Sequence, residues 1–219
     1  MTQKNRRSAL PSAFKLFKPS LNAILLNTWT YVILLGIPLI LYFIPSQYIL
    51  GGGTGNEIVN LFTALSSLAG LVFIVVAAPA VPYVNLKSAQ GEQVTIDEAI
   101  SAGLSYFWRF YGLNILVALI VFVGFLLLII PGVIMVRRYF LSTYYLYDGA
   151  GTIRNAMKRS AADSRKFSGA VWGVIGVTFL IGLLELAPNL GVLAAVLLQL
   201  AYFCAPAIRY KQIRAAARD

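Results

Sequence analysis

Residues 110–149 read FYGLNILVALIVFVGFLLLIIPGVIMVRRYFLSTYYLYDG, and the fold is decided by how that stretch is taken. Leu113 to Ile130 is an uncharged run of eighteen residues, close to the roughly 20 a transmembrane helix needs. Pro131 and Gly132 interrupt it, the first by lacking an N–H donor and the second by tolerating positive φ. Val133 to Tyr147 is again apolar and aromatic, apart from Arg137 and Arg138. The pattern predicts a helical hairpin that turns at Pro131-Gly132 and carries two guanidinium groups on its return limb. An arginine at the bilayer centre costs roughly 2.5–3.5 kcal/mol on insertion scales, so each must face protein, water or a headgroup.

The remainder of the chain has the same character. It is 59% hydrophobic and 12% charged, with a mean hydropathy of +0.77, whereas a soluble domain carries about 25% charged residues. An all-α polytopic membrane protein is expected, one integral domain over residues 1–219. Its six spans fall at about 21–44, 58–78, 110–130, 133–147, 168–187 and 190–207. Pro38 should kink the first span, and Tyr42 and Tyr48 suit an outer aromatic belt. The glycines from Gly51 to Gly55 read as an external loop, since a phosphate loop needs a preceding strand and a following Lys-Ser/Thr. Pro79 and Pro82 close the second span, and Pro188-Asn189 turns the chain after the fifth. Gly169 and Gly173 form a small-xxx-small pair that lets a neighbouring helix approach.

Two amphipathic helices are expected on the inner face. Thr95-Ile96-Asp97-Glu98 is a capping box, followed by a stripe at Ile96, Ala99, Ile100, Gly103, Leu104 and Phe107. This helix should lie along the inner membrane face and feed the third span. Asp148-Gly149 then makes a turn after the central hairpin. A second helix from Thr152 to Lys166 sets Ile153, Ala156, Met157 and Ala161 on one side. Arg154, Lys158, Arg159, Arg165 and Lys166 load the other and are candidates for contact with lipid headgroups.

The eighteen Lys/Arg against eight Asp/Glu give a net charge of +10. In a soluble chain that excess would suggest nucleic acid as a partner. Here all the cations but Arg137 and Arg138 lie in the segments on the N-terminal side of a six-span topology. That is the positive-inside signature, and it places both termini in the cytoplasm and the protein in the plasma membrane. Membrane lipids with anionic inner-face headgroups are the expected partners, beside a membrane protein or a second copy of the chain, and no nucleic acid.

A shift of 57 residues aligns Thr95-Ile96 with Thr152-Ile153, Ala99 with Ala156, Phe110 with Phe167, Gly112 with Gly169 and Pro131 with Pro188. The repeating unit is an inner helix followed by a membrane hairpin broken at proline. Ile130-Pro131-Gly132-Val133, Arg138, Asp148-Gly149, Ala156, Ser160 and Gly169 together resemble a family of bacterial and archaeal multi-pass proteins. That family is similar to the membrane domain attached to some glycerophosphodiester phosphodiesterases. The resemblance implies a six-helix membrane domain and supplies no catalytic residues, since chemistry in those fusions belongs to a soluble domain.

The chain holds no His and one Cys, Cys204, so an internal disulfide is impossible and a zinc site lacks ligands. No metal or cofactor is expected, and Cys204 reads as a buried small hydrophobe. Asp148, Asp163, Glu185, the tyrosines and Ser/Thr are the groups left for acid–base work. Tyr139, Tyr144, Tyr145 and Tyr147 read as inner-interface aromatics. The leading expectation is a non-enzymatic accessory or transport-related module that engages anionic lipid or a membrane partner. A small-solute or lipid-precursor transporter, with Arg137, Arg138 and Glu185 on one cavity, is the alternative. A membrane-embedded enzyme acting on lipid phosphates is the third. Glu185, the one acid in the outer half of a span, is expected to pair with Arg137 or Arg138.

Overall fold

The computed structural model describes residues 10–51, 56–187 and 190–218, without the side chains of 46–50 and 190. The N-terminal cations Lys4, Arg6 and Arg7, most of the Gly-rich loop, the Tyr48 side chain and the Pro188-Asn189 turn lie outside these residues. Of the described residues 89% are helical and none lies in a strand.

A 3-10 turn over Ala13–Leu16 leads into α1, Phe17–Leu26, whose buried side is Ser20 and Ala23. Asn27, at φ −122° and ψ 31°, ends α1. The first span therefore begins at Thr28 rather than Leu21. It runs as α2, Thr28–Tyr31, a π turn, Val32–Gly36, and α3, Ile37–Leu50. Pro38 accounts for the π turn, because its ring clashes with the carbonyl of Leu34 and its nitrogen cannot donate. Pro45 stays inside α3, so the helix runs on to Leu50 where the sequence suggests a loop from Pro45.

α4, Glu57–Ala77, is the second span, started by Asn56, whose side chain accepts from the Ile58 and Val59 amides. Pro79 and Pro82 then open a helix instead of ending one, as prolines in a first turn do. That helix, α5, Ala80–Gln90, replaces much of the expected polar connection and packs on α1, α6 and the last helix.

α6, Ile96–Leu127, is one helix of 32 residues. At 1.5 Å per residue it is ~48 Å long, against a hydrocarbon core of ~30 Å. Ile96–Phe107 thus continues the axis of the third span and does not lie flat along the membrane. The turn of the central hairpin comes at Leu128, which is extended at φ −166° and ψ 149°. Pro131 sits in the first turn of the return helix α7, Ile129–Tyr139, where its missing N–H has no helical acceptor to lose. Gly132 is needed for closeness: a Cβ on Gly124 would lie 3.0 Å from the Gly132 Cα. The expected break at Pro131-Gly132 is thus three residues late.

The return limb is itself interrupted. After α7 come α8, Ser142–Tyr145, and a loosened turn, Leu146–Ala150, in which Gly149 takes φ 77°. α9, Ile153–Lys166, and α10, Ser168–Leu183, meet at Phe167. A 3-10 turn, Leu184–Leu186, precedes α11, Leu190–Tyr202, and α12, Ala205–Arg218, closes the chain. The basic tail is therefore a packed helix.

Among the described residues five helices are long and apolar enough to cross a membrane: Thr28–Pro45, Glu57–Ala77, Ile96–Leu127, Ser168–Leu186 and Gly191–Arg218. Their apolar side chains face outward, with only 6% of the α4 window and 11% of the α6 window buried. A multi-pass membrane protein presents such a surface to lipid. The limb from Ile129 to Ala150 is not among the five, because the arginine pair and the break after Tyr139 fall within it. Thr95 and Thr152 cap α6 and α9 alike, accepting from the Glu98 and Asn155 amides. The two units differ beyond their caps, since α6 runs unbroken past Phe110 while the chain breaks at Phe167.

Candidate functional site

Arg137 and Arg138 are successive on α7, so they point about 100° apart. Arg137 is half-buried and its Nη1 donates to Ser168 Oγ at 2.8 Å, at the start of α10. Arg138 is exposed, with its guanidinium 5.7 Å from the Tyr139 ring centre. Ser160 Oγ of α9 donates to the Arg138 carbonyl at 2.9 Å, which holds α9 against this end of α7.

α9 is built to lie on that surface. Its buried face is Ala156, Met157, Ser160 and Ser164, small enough for close packing, and its five cations are all exposed. Two of them, Arg154 and Lys158, one turn apart, flank a groove of about 430 Å³ that Arg138 closes from the other side. Tyr139, Ile153, Met157, Ala161 and, on α6, Leu116 complete the lining, which contains no acid. The groove joins three cations to an apolar wall. Leu116 continues outward along α6 through the exposed Leu119 and Val123, one helical face. Arg159, Arg165 and Lys166 do not line the groove; Lys166 lies 5.2 Å from the Phe167 ring centre.

Glu185 takes no part in this arrangement. Its Oε1 accepts from Gln199 Nε2 at 2.6 Å, which joins the end of α10 to α11, and no ion pair links it to either arginine. The expected pairing is therefore wrong, and depth explains the error. Arg137 meets the first residue of α10, and the seventeen residues from Ser168 to Glu185 put ~25 Å between the two charges.

Of the four tyrosines expected at the inner interface, Tyr139 is half-buried and lines the groove, while the other three are core residues. Tyr144, Tyr145 and Tyr147 are buried in the core with Leu113, Leu141 and Tyr210. Tyr145 donates to Asp163 and Tyr147 to the Pro79 carbonyl. Asp148 does more than turn the chain: it accepts from Tyr210 at 2.6 Å and lies 3.4 Å from Arg214 Nε, tying α12 to the end of the return limb. Trp29 and Trp108 take the exposed positions, at 78% and 84%.

Three features are missing from the sequence reading. Asn27 accepts from the Val94 amide at 2.7 Å and donates to Ser88 Oγ at 2.8 Å and the Glu92 carbonyl at 3.0 Å. Tyr31 donates to Asn85 Oδ1 at 2.7 Å, beside Ser88 Oγ and Cys204 Sγ at 3.2 and 3.1 Å. Arg209 is 1% exposed. A polar residue where one helix ends, as Asn27 does, is the only sequence signal among them. Among the described residues no group of three His, Cys, Asp or Glu is placed to hold a metal. No family model, curated protein or solved structure matches the chain.

Proposed function

We propose that this protein is a non-enzymatic membrane module that seats an anionic phospholipid of the inner leaflet in the Arg138–Arg154–Lys158 groove. The observation that carries the reading is the joining of three cations to an apolar wall that runs out along α6. A headgroup phosphate would meet the cations, and an acyl chain would lie on Leu116, Leu119 and Val123. In this reading the limb from Ile129 to Ala150 is the sixth crossing, both termini are cytoplasmic, and α9 rests at the inner headgroup level. The proposed kinship with the membrane domain of glycerophosphodiester phosphodiesterases fits a module that handles lipid without transforming it. The transport alternative loses its shared cavity, because Glu185 bonds Gln199 at the far end of α10 from Arg137.

Native mass spectrometry of protein released from mixed phosphatidylglycerol and phosphatidylcholine tests the proposal. Cations near an anionic surface contribute about 1 kcal/mol each, so the combined R138Q, R154Q and K158Q changes should cut phosphatidylglycerol retention at least about tenfold. Arg165→Gln with Lys166→Gln, outside the groove, should cut it far less. Equal losses in the two variants would reduce α9 to a nonspecific basic surface.

A further inference from the structure

We infer that Arg209 forms a second anion site, separate from the groove, which takes a phosphate group at the N-terminus of α10. Arg209 is 1% exposed, and its Nη2 donates to the Pro11 carbonyl at 2.7 Å. Its Nε and Nη1 have no partner, and it belongs to neither ion pair among the described residues. A buried cation left this way carries a desolvation cost that the one bond to Pro11 offsets only in part, with no acid paired to it among the described residues. It lines a cavity of about 250 Å³ together with Ser12, Gly169, Ala170 and Gly173.

The far wall of that cavity is the first turn of a 16-residue helix with no side-chain cap. The Ala170 and Val171 amides turn back to the Phe167 carbonyl, which leaves those of Ser168 and Gly169 outside the helical ladder. The positive end of the α10 dipole thus shares this space with the Arg209 guanidinium. Arg137 donates to Ser168 Oγ at the same helix start without lining the cavity. The helix end and the Arg209 guanidinium are both positive, and an anion is the group that would satisfy both. A phosphate has enough acceptor oxygens to meet guanidinium and helix amides together. The Ser12 hydroxyl, which caps nothing, supplies a further donor.

The glycines agree with this use. Gly173 packs, since a Cβ there would lie 3.1 Å from the Ala13 Cβ, but a Cβ on Gly169 would meet nothing within 4 Å. Gly169 therefore opens the cavity and does not bring a helix close, contrary to the small-xxx-small expectation. The bound phosphate belongs either to a phosphomonoester lipid headgroup or to a soluble phosphate compound.

The test is the melting temperature of the full chain in phosphatidylcholine nanodiscs, with inorganic phosphate added in one arm and phosphatidic acid doped into the bilayer in the other. Potassium chloride of equal ionic strength is the control. Wild-type protein should be stabilised in at least one arm, and the arm that responds identifies the source. Because the groove also takes anionic lipid, the comparison is repeated in the R138Q, R154Q, K158Q background, where the stabilisation that Arg209→Gln removes should persist. Gly169→Leu fills the cavity while keeping Arg209, and it should raise the half-saturating ligand concentration at least tenfold, as should Arg209→Gln. If Arg209→Gln fails to fold, Gly169→Leu decides alone. The inference is overturned if neither ligand stabilises wild type beyond chloride, or if either folded variant responds as wild type does.

Discussion

At the scale of single residues, the strongest constraints are polar groups that bridge distant segments. Asn27 is buried and holds the Val94 amide more than sixty positions away. Asn27→Ala would leave that N–H without an acceptor, and a buried unsatisfied donor costs about 1–3 kcal/mol. Unfolding in detergent should show a loss of that size. Tyr83, on α5, offers a test by pH. Burial first, and then its 2.5 Å hydrogen bond to Glu98, push its pKa from the usual 10 to about 12. The unfolded phenol ionises first, so the contribution is complete below pH 10 and disappears as pH rises from 10 to 12. Wild type should therefore lose more stability over that interval than Tyr83→Phe, and parallel pH curves would rule the contribution out. Caps such as Thr95 and Thr152 were legible because their chemistry is local. The roles of Asn27 and Arg209 were not, because each depends on a segment remote in sequence.

At the scale of elements, helix identity followed from hydrophobic runs, and the turns did not. Pro131 attracted the hairpin break because proline cannot continue a helix, yet the same property suits it to a helix start. The turn falls at Leu128, and Arg137 meets Ser168 at the N-terminal end of α10, the far end from Glu185. Glu185 and Arg137 were thereby misjudged in depth, although the division of Arg137 from Arg138 follows from helical geometry alone. The close approach of α6 and α7 makes a sharp prediction. Gly124→Ala should destabilise by about 1–3 kcal/mol through overpacking, because its Cβ would sit 3.0 Å from the Gly132 Cα. Gly176→Ala, with nothing within 4 Å, should instead stabilise by up to about 1 kcal/mol through helix propensity. Equal effects in a steric-trap or denaturant measurement would contradict the packing at the hairpin.

For the whole molecule, composition and span-length runs were enough to show a multi-pass helical protein. The packing of α5 and α12 was hidden, because both look polar and their burial arises only when they meet each other and α1. The topology proposed for the six crossings predicts that cysteines introduced at Thr54 and at Arg218 react with an impermeant reagent from opposite sides. Cys204, buried at 0%, should stay silent in the same experiment. Labelling of both positions from one side would remove the limb from Ile129 to Ala150 as a crossing.

The beginning and end of the chain share one seam. Tyr202 donates to the Ala13 carbonyl, the Cys204 amide to Ser20 and Arg209 to the Pro11 carbonyl. The segment around α1 thus gains these partners only when residues more than 180 positions later have been made. Until then α1 waits at the membrane surface with its docking side vacant. A chain stalled before the end of α11 would have the earlier helices made and still lack its seam, which leaves it open to quality-control proteolysis. The timing of biogenesis is written into those three hydrogen bonds.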